Sequence, residues 1–94
     1  PDRFALKQNY PNPFNPSTQI TFDVPLGGEL VMLNVYNILG QNVNTLVNEV
    51  LSPGAYTMEW DATDALGSPV ASGIYFYELR SKSFIARKKM LLIR

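Results

Sequence analysis

The sequence contains no cysteine and no histidine. Without cysteine no disulfide can add stability to so short a chain, and without either residue the usual ligands of zinc, copper and haem iron are missing. A serine nucleophile would also lack the imidazole that normally serves as its base. We therefore predict that the chain has no metal centre, needs no cofactor and is not an enzyme.

Long apolar runs are missing as well. The longest, such as residues 90–93, fall far short of the ~20 residues that cross a bilayer, so no stable membrane insertion is expected. A chain of 94 residues with 46% hydrophobic and 17% charged residues is typical of one small globular domain. It opens on Pro1 without a basic and then apolar leader, and we expect it to be a piece of a longer protein.

The formal net charge of zero conceals an asymmetry along the chain. Residues 80–94 hold six cations and no acid, whereas residues 1–79 hold two cations and eight acids. Attraction between a basic final strand and acidic neighbouring strands would explain this as a structural feature. A basic surface that an acidic partner recognises is the functional alternative. Nucleic acid is not expected as a partner, because no repeat of alternating basic and aromatic residues accompanies the charge.

The alternation of apolar and polar residues predicts strands and no helix. Residues 18–24 place Ile20, Phe22 and Val24 on one face, which predicts a half-buried strand. Residues 30–38 are apolar on both parities, which predicts a central strand buried on both faces. Further strands are predicted at residues 42–47, 55–60, 73–79 and 84–93. Six or seven antiparallel strands separated by turns predict an all-β fold, an immunoglobulin-like β-sandwich.

Three prolines within residues 11–16 block regular structure near the start of the chain. We divide the sequence into an extended proline-rich lead segment, residues 1–17, and a β-sandwich, residues 18–94. Tyr10 and Phe14 lie in the lead segment, which has no face of its own to bury. They either clamp onto the sandwich or face a partner, and both alternatives stay open.

Asp61 and Asp64 are the carboxylates with a possible metal role. Hard cations such as Ca²⁺ prefer carboxylate oxygens, but the spacing is poor for a dedicated loop. Aspartate is equally suited to accept hydrogen bonds from backbone amides in turns. We predict the turn role.

The aromatic residues would form a sugar-stacking platform if they shared an exposed face. Trp60, however, is in phase with Tyr56 and Met58 on the apolar parity of a predicted strand. We therefore predict that it packs in the core. The set considered for the platform is Tyr56, Trp60, Tyr75, Phe76 and Tyr77.

Five short motifs follow one another along nearly the whole chain: residues 6–18 with Asn-Tyr-Pro-Asn-Pro-Phe, residues 35–40, Pro53-Gly54 ahead of Trp60-Asp61, residues 70–77, and residues 88–93. Together they resemble the C-terminal sorting domain of the type IX secretion system. Residues 31–79 are also similar to the immunoglobulin-like domain of the flagellar hook-capping protein. Family members often have Asp and Gly where this chain has Asn37 and Ala62.

The resemblance implies a tag at the C-terminus of a larger secreted protein of Bacteroidetes-like bacteria. Such a tag directs its N-terminal cargo domain from the periplasm through an outer-membrane translocon to the cell surface, where a sortase-like peptidase commonly removes it. The alternative is a structural immunoglobulin-like module, hook-cap-like or a stalk beside a carbohydrate-active domain; a carbohydrate-binding module ranks behind both.

Recognition is expected to depend on the first and the last motif. The basic and apolar final strand is predicted to be an exposed edge, which would resist aggregation and offer backbone groups to a partner. The expected recognition residues are Tyr10, Pro11, Asn12, Pro13, Phe14, Lys88, Lys89, Leu91, Leu92 and Ile93.

Overall fold

Two antiparallel sheets pack face to face in the computed structural model, which describes all of residues 1–94. One sheet has three strands in the order β1-β2-β5, and the other has four in the order β4-β3-β6-β7. This arrangement confirms the predicted immunoglobulin-like sandwich of antiparallel strands. The structure contains no helix with the length and apolar character needed to cross a membrane. The strands are β1 (Ala5–Leu6), β2 (Thr18–Val24), β3 (Leu30–Tyr36), β4 (Asn42–Val50), β5 (Gly54–Trp60), β6 (Gly73–Arg80) and β7 (Ile85–Leu92).

The predicted strand at residues 18–24 has the bounds of β2, and its three apolar side chains face the core. β3 lies centrally between β4 and β6, as predicted. The prediction that it is buried on both faces holds for Asn34 on the outer face, which is 4% exposed. It was wrong for the start of the strand, because no further layer covers the outer face of the four-stranded sheet. Leu30 is therefore 49% exposed, and Ile38 lies beyond the end of the strand and is 70% exposed.

β4 extends to Val50, three residues beyond its predicted end. Two register shifts in its pairing with β3 interrupt the alternation of apolar and polar residues, which hid the continuation. The turn between these strands depends on Asn37, whose Oδ1 accepts hydrogen bonds from the N–H groups of Leu39 and Gln41, both at 3.0 Å. Gly40 has φ 79°, a conformation that favours glycine.

Trp60 lies in the core, as predicted. Its side chain is 1% exposed, and its Nε1 donates a hydrogen bond to the Thr63 carbonyl at 2.9 Å. The indole contacts the rings of Phe14 and Tyr75, with centroids 5.8 Å and 5.2 Å away. Because Tyr75 and Tyr77 are buried too, the aromatic residues considered for a sugar-binding platform do not share one exposed face.

Ala62 follows the core tryptophan and is fully buried, with φ 61°. This is the left-handed region, which costs an L-residue about 1–2 kcal/mol and costs glycine little. Glycine, which the resemblance led us to expect at this position, would adopt this conformation without that cost. The chain keeps a buried methyl group here at the expense of backbone strain.

Replacing Trp60 by alanine is expected to lower the free energy of unfolding by about 3–5 kcal/mol, because a large buried side chain leaves a cavity. Trp60→Phe keeps an aromatic ring and loses the Nε1 hydrogen bond, so a smaller loss is expected. Urea unfolding followed by circular dichroism measures both. A loss below about 1 kcal/mol for Trp60→Ala would contradict the central place of this residue.

Candidate recognition surface at the terminal strand

The first and last motifs lie against each other. The Phe14 N–H donates to the Leu91 carbonyl at 3.0 Å, and the Ile93 N–H donates to the Phe14 carbonyl at 2.9 Å. Asn12 Oδ1 accepts from the Leu91 N–H at 3.0 Å, although the two residues are 79 positions apart in the chain. Phe14 pairs with Leu92 in a parallel bridge. The lead segment thus runs beside the end of β7 like a short added strand.

The sequence left open whether Tyr10 and Phe14 pack against the sandwich or are exposed, and the two residues differ in this respect. Phe14 clamps onto the sandwich, where it is 2% exposed and touches Trp60. The Tyr10 side chain is 80% exposed, while its backbone exchanges two hydrogen bonds with Gln19. Of this pair, only Tyr10 has an exposed ring.

Tyr77 anchors the lead segment from inside the sandwich. Its hydroxyl donates to the Lys7 carbonyl and accepts from the Asn9 N–H, both at 2.8 Å. Asn9 is itself buried, and its side-chain amide donates to Thr18 Oγ1 at 2.9 Å. Burial raises the pKa of Tyr77 to about 12, against a smaller opposing effect of the Asn9 hydrogen bond. Sequence reasoning missed this contact, because nothing in the pattern links a tyrosine on β6 to an asparagine 68 positions earlier.

The ten expected recognition residues divide by exposure. Phe14 and Leu92 belong to the core, and Lys88 is half-buried. The others have exposed side chains and include Lys89 and Leu91 on β7. The exposed members are Tyr10, Pro11, Asn12, Pro13, Lys89, Leu91 and Ile93.

Neighbouring lysines of β7 point to opposite faces, since side chains alternate along a strand. Lys88 has the parity of the buried residues Met90 and Leu92 and lies towards the space between the sheets. Lys89 has the parity of Leu91 and lies on the outer face of the four-stranded sheet. The two cations therefore cannot act as one basic site.

β7 is an edge strand, as predicted, but half of its edge is covered. The Leu91 N–H and carbonyl and the Ile93 N–H bond to the lead segment, and Gln8 Nε2 donates to the Lys89 carbonyl at 2.9 Å. The prediction of a free edge is therefore wrong for residues 91–93. It holds for the first half of the strand, Ile85 and Arg87.

Glu78 accounts for part of the charge asymmetry. Its carboxylate is almost completely buried and accepts hydrogen bonds from Arg87 Nη2 at 2.8 Å and Arg80 Nε at 3.0 Å. Arg87 also lies 5.4 Å from the centre of the Tyr36 ring. Burial by itself would raise the pKa of Glu78, but the two arginines outweigh it and hold the pKa below its usual value. Lys88 and Lys89 are in no ion pair.

Asp64 has the predicted turn role. Its Oδ1 accepts hydrogen bonds from the N–H groups of Leu66 and Ser68, both at 3.0 Å. Asp61 accepts from the Thr63 hydroxyl at 2.5 Å. No cluster of three acidic side chains suited to a metal ion is present.

The family model of the FlgD Ig-like domain matches residues 10–83, most of the chain. The chain belongs to this family. No curated protein matches the sequence. The matched range includes the exposed Tyr10 and the buried Phe14 but ends before β7, so the family match covers the sandwich better than it covers the terminal strand.

Two solved structures contain a similar domain. This FlgD Ig-like domain is 22% identical to part of PorZ, an essential surface component of the type IX secretion system of Porphyromonas gingivalis, with a TM-score of 0.66 over 93% of this chain. It is 25% identical to part of dimeric latent PorU from the same organism, with a TM-score of 0.73 over 99% of this chain. The chain spans 11% of PorZ and 9% of PorU. These findings and the family match confirm the resemblance that the sequence motifs indicate.

Tyr77→Phe is expected to lower the free energy of unfolding of this FlgD Ig-like domain by about 1–3 kcal/mol, because the buried Asn9 N–H loses its acceptor. The pKa of Tyr77 rises from 10.0 to about 12 on folding. Its stabilising contribution is thus complete below pH 10 and is lost between pH 10 and pH 12.

Urea unfolding at pH 7 and between pH 10 and pH 11.5 tests this expectation. The Phe variant should lose less stability over the alkaline range than the natural sequence does. Tyr10→Phe is the control, since the Tyr10 side chain is 80% exposed. An equal alkaline loss in the natural sequence and in Tyr77→Phe would contradict the prediction.

Glu78→Gln is expected to cost about 1–3 kcal/mol at pH 7, because the hydrogen bonds of the two arginines lose their charged acceptor. The folded-state pKa of Glu78 lies below the ordinary 4.5, so its contribution is present above pH 4.5 and is lost as the pH falls through the folded value. The stability difference between the two proteins should therefore shrink below pH 4.5. The exposed Glu59→Gln is the control, and a difference that does not change with pH would refute the assignment.

Proposed function

We propose that the chain is a non-catalytic C-terminal sorting module, which directs a larger cargo protein across the outer membrane to the cell surface through a type IX secretion system. One observation carries the proposal: residues 12–14 bind along the end of β7. The two motifs on which the resemblance to sorting domains chiefly depends are thereby joined into one structural unit. The likeness to domains of PorZ and PorU supports the same assignment.

The joined motifs present a continuous surface. A hollow of about 200 Å³ lies between Asn12, Ile74 and the β7 residues 89–91. It combines an unpaired ammonium group on Lys89 with the apolar side chain of Leu91. A surface that combines a charge with apolar side chains is suited to recognition by a protein. The charge orients the partner, and the apolar side chains become buried against it.

The partners follow from this role. The N-terminal cargo domain is attached to the module, the outer-membrane translocon recognises it, and a surface sortase-like peptidase separates it from the cargo. The module passes through the periplasm and reaches the cell surface or the medium. It performs no chemistry of its own.

A structural immunoglobulin-like module is the second candidate, and the FlgD Ig-like match favours it. In that case the chain would hold neighbouring domains together, either as a hook-cap-like part or as a stalk, and would not be read as a signal. The exposed terminal strand would then serve solubility only. A carbohydrate-binding role has less support, because Trp60, Tyr75 and Tyr77 are buried.

A fused reporter distinguishes these functions. A periplasmic reporter with this chain at its C-terminus is expected to reach the surface of a bacterium with a type IX system. Retention of the unmodified fusion in the periplasm would contradict the sorting role and would favour the structural module.

Single changes test each lysine of β7. Lys88→Gln and Lys89→Gln are expected to change stability by less than about 0.5 kcal/mol and to lower surface delivery, with accumulation in the periplasm. The double variant should show the larger defect. Lys82→Gln is the matched control, because it removes one exposed charge from the turn before β7.

Full surface delivery of the double variant would show that the lysines serve solubility only. Recognition would then depend on residues 11–14 or on the shape of the sandwich. Circular dichroism of each fusion distinguishes loss of recognition from loss of folding.

A further inference from the structure

A groove lies between β1 and the first half of β7. Its volume is about 720 Å³, and it is open to solvent. Phe4 and Phe84 stack across it with ring centroids 5.3 Å apart and planes inclined by 20°. Leu6 and Ala86 add apolar lining, and Lys88 adds a cation.

Backbone groups of β7 are available along this groove. The Leu91 N–H and carbonyl form hydrogen bonds with the lead segment, on the edge of β7 that is turned away from β6. Because backbone groups alternate between the two edges of a strand, the N–H and carbonyl groups that point towards β6 are those of residues 86, 88, 90 and 92. The N–H and carbonyl groups of Ile85 and Arg87 and the N–H of Lys89 therefore point away from β6. None of these outward-pointing groups forms a hydrogen bond within the chain.

The other half of the same edge shows how an extended segment binds there. Residues 12–14 satisfy the Leu91 and Ile93 groups, and Gln8 satisfies the Lys89 carbonyl. The lead segment then leaves the edge, and the groups at residues 85–89 stay open. Unpaired groups on an edge strand beside an apolar groove are suited to the addition of a strand from another molecule.

The charges indicate which strand would bind. Lys88 faces the groove, is half-buried and has no acidic partner. Asp2 and Arg3 line the exposed N-terminal end of the groove with one charge of each sign, so they leave its charge balance unchanged. Glu29 also lines the groove, but its two carboxylate oxygens are bonded to the Ser83 N–H at 3.0 Å and the Ser83 hydroxyl at 2.9 Å. A carboxylate on the incoming segment would supply the missing partner of Lys88.

We propose that this groove binds an extended acidic segment of a partner protein, which adds to β7 as a strand. The inference rests on the proposed function, because it assumes that another protein recognises β7. A second copy of the chain fits less well, because pairing of two β7 edges would bring Arg87 and Lys88 against the same cations, and like charges on paired strands are destabilising.

The test uses the isolated domain and a blocked peptide of alternating valine and glutamate. Titration followed by amide NMR should show slowed hydrogen exchange at Ile85, Arg87 and Lys89 and unchanged exchange at Leu91 and Ile93. The expected dissociation constant is about 1 mM or lower. The matched peptide of alternating valine and lysine should bind more weakly.

Two variants locate the site. Lys88→Gln is expected to weaken binding of the acidic peptide about 2- to 5-fold, the range of an exposed ion pair. Ile85→Pro removes an N–H that β6 does not use, and it should abolish protection at residue 87 while leaving the fold intact. Lys82→Gln should bind like the natural sequence.

Unchanged exchange at all three amides in the presence of the acidic peptide would overturn the inference. Equal binding of the acidic and basic peptides, or protection that appears with protein concentration alone, would also overturn it, the latter because a second copy would then occupy the groove. These results do not depend on export. A negative peptide titration with normal surface delivery of the reporter would thus reject the groove and leave the sorting role standing.

Discussion

The contact between Phe14 and Trp60 holds the lead segment against the sandwich, and the form of the terminal strand depends on it. Both rings are almost completely buried, so separating them would expose a large apolar area to water. With the Phe14 ring in the core, its backbone lies beside β7 and forms hydrogen bonds with Leu91 and Ile93. Residues at opposite ends of the sequence thereby become one edge of the sheet.

The same constraint explains why the terminal strand has two different halves. Where the lead segment runs beside it, β7 resembles an internal strand with satisfied backbone groups. Before that point it is a true edge, protected from aggregation by Arg87 and Lys88 and bordered by an apolar groove. Satisfied and unpaired backbone groups therefore lie within a few residues of each other on this strand.

The distribution of charge is explained by the positions of the residues in the folded sandwich and not by their order in the sequence. Six cations at the end of the sequence fall on a single hairpin, β6 to β7, and its adjoining tail. Glu78 neutralises part of this charge and fixes two arginines on the outer face, with Arg87 over Tyr36. The lysines of β7 stay free, one on each face. The structural explanation of the charge asymmetry thus holds for Arg80 and Arg87, and the functional one stays a proposal for the lysines.

Local pattern alone determined much of this protein. Alternation fixed β2 and the core position of Trp60, because strand periodicity depends only on neighbours in the sequence. The motifs likewise indicated the family without a structure. The tertiary structure decided what depends on distant residues: the burial of Phe14, the anchoring of Asn9 by Tyr77, and the covering of half the β7 edge. Alternation gives Lys88 and Lys89 opposite faces, but only the packing of β1 against the four-stranded sheet decides that one of those faces is a groove. No sequence pattern encodes such contacts, since they arise from which surfaces meet once the chain has folded.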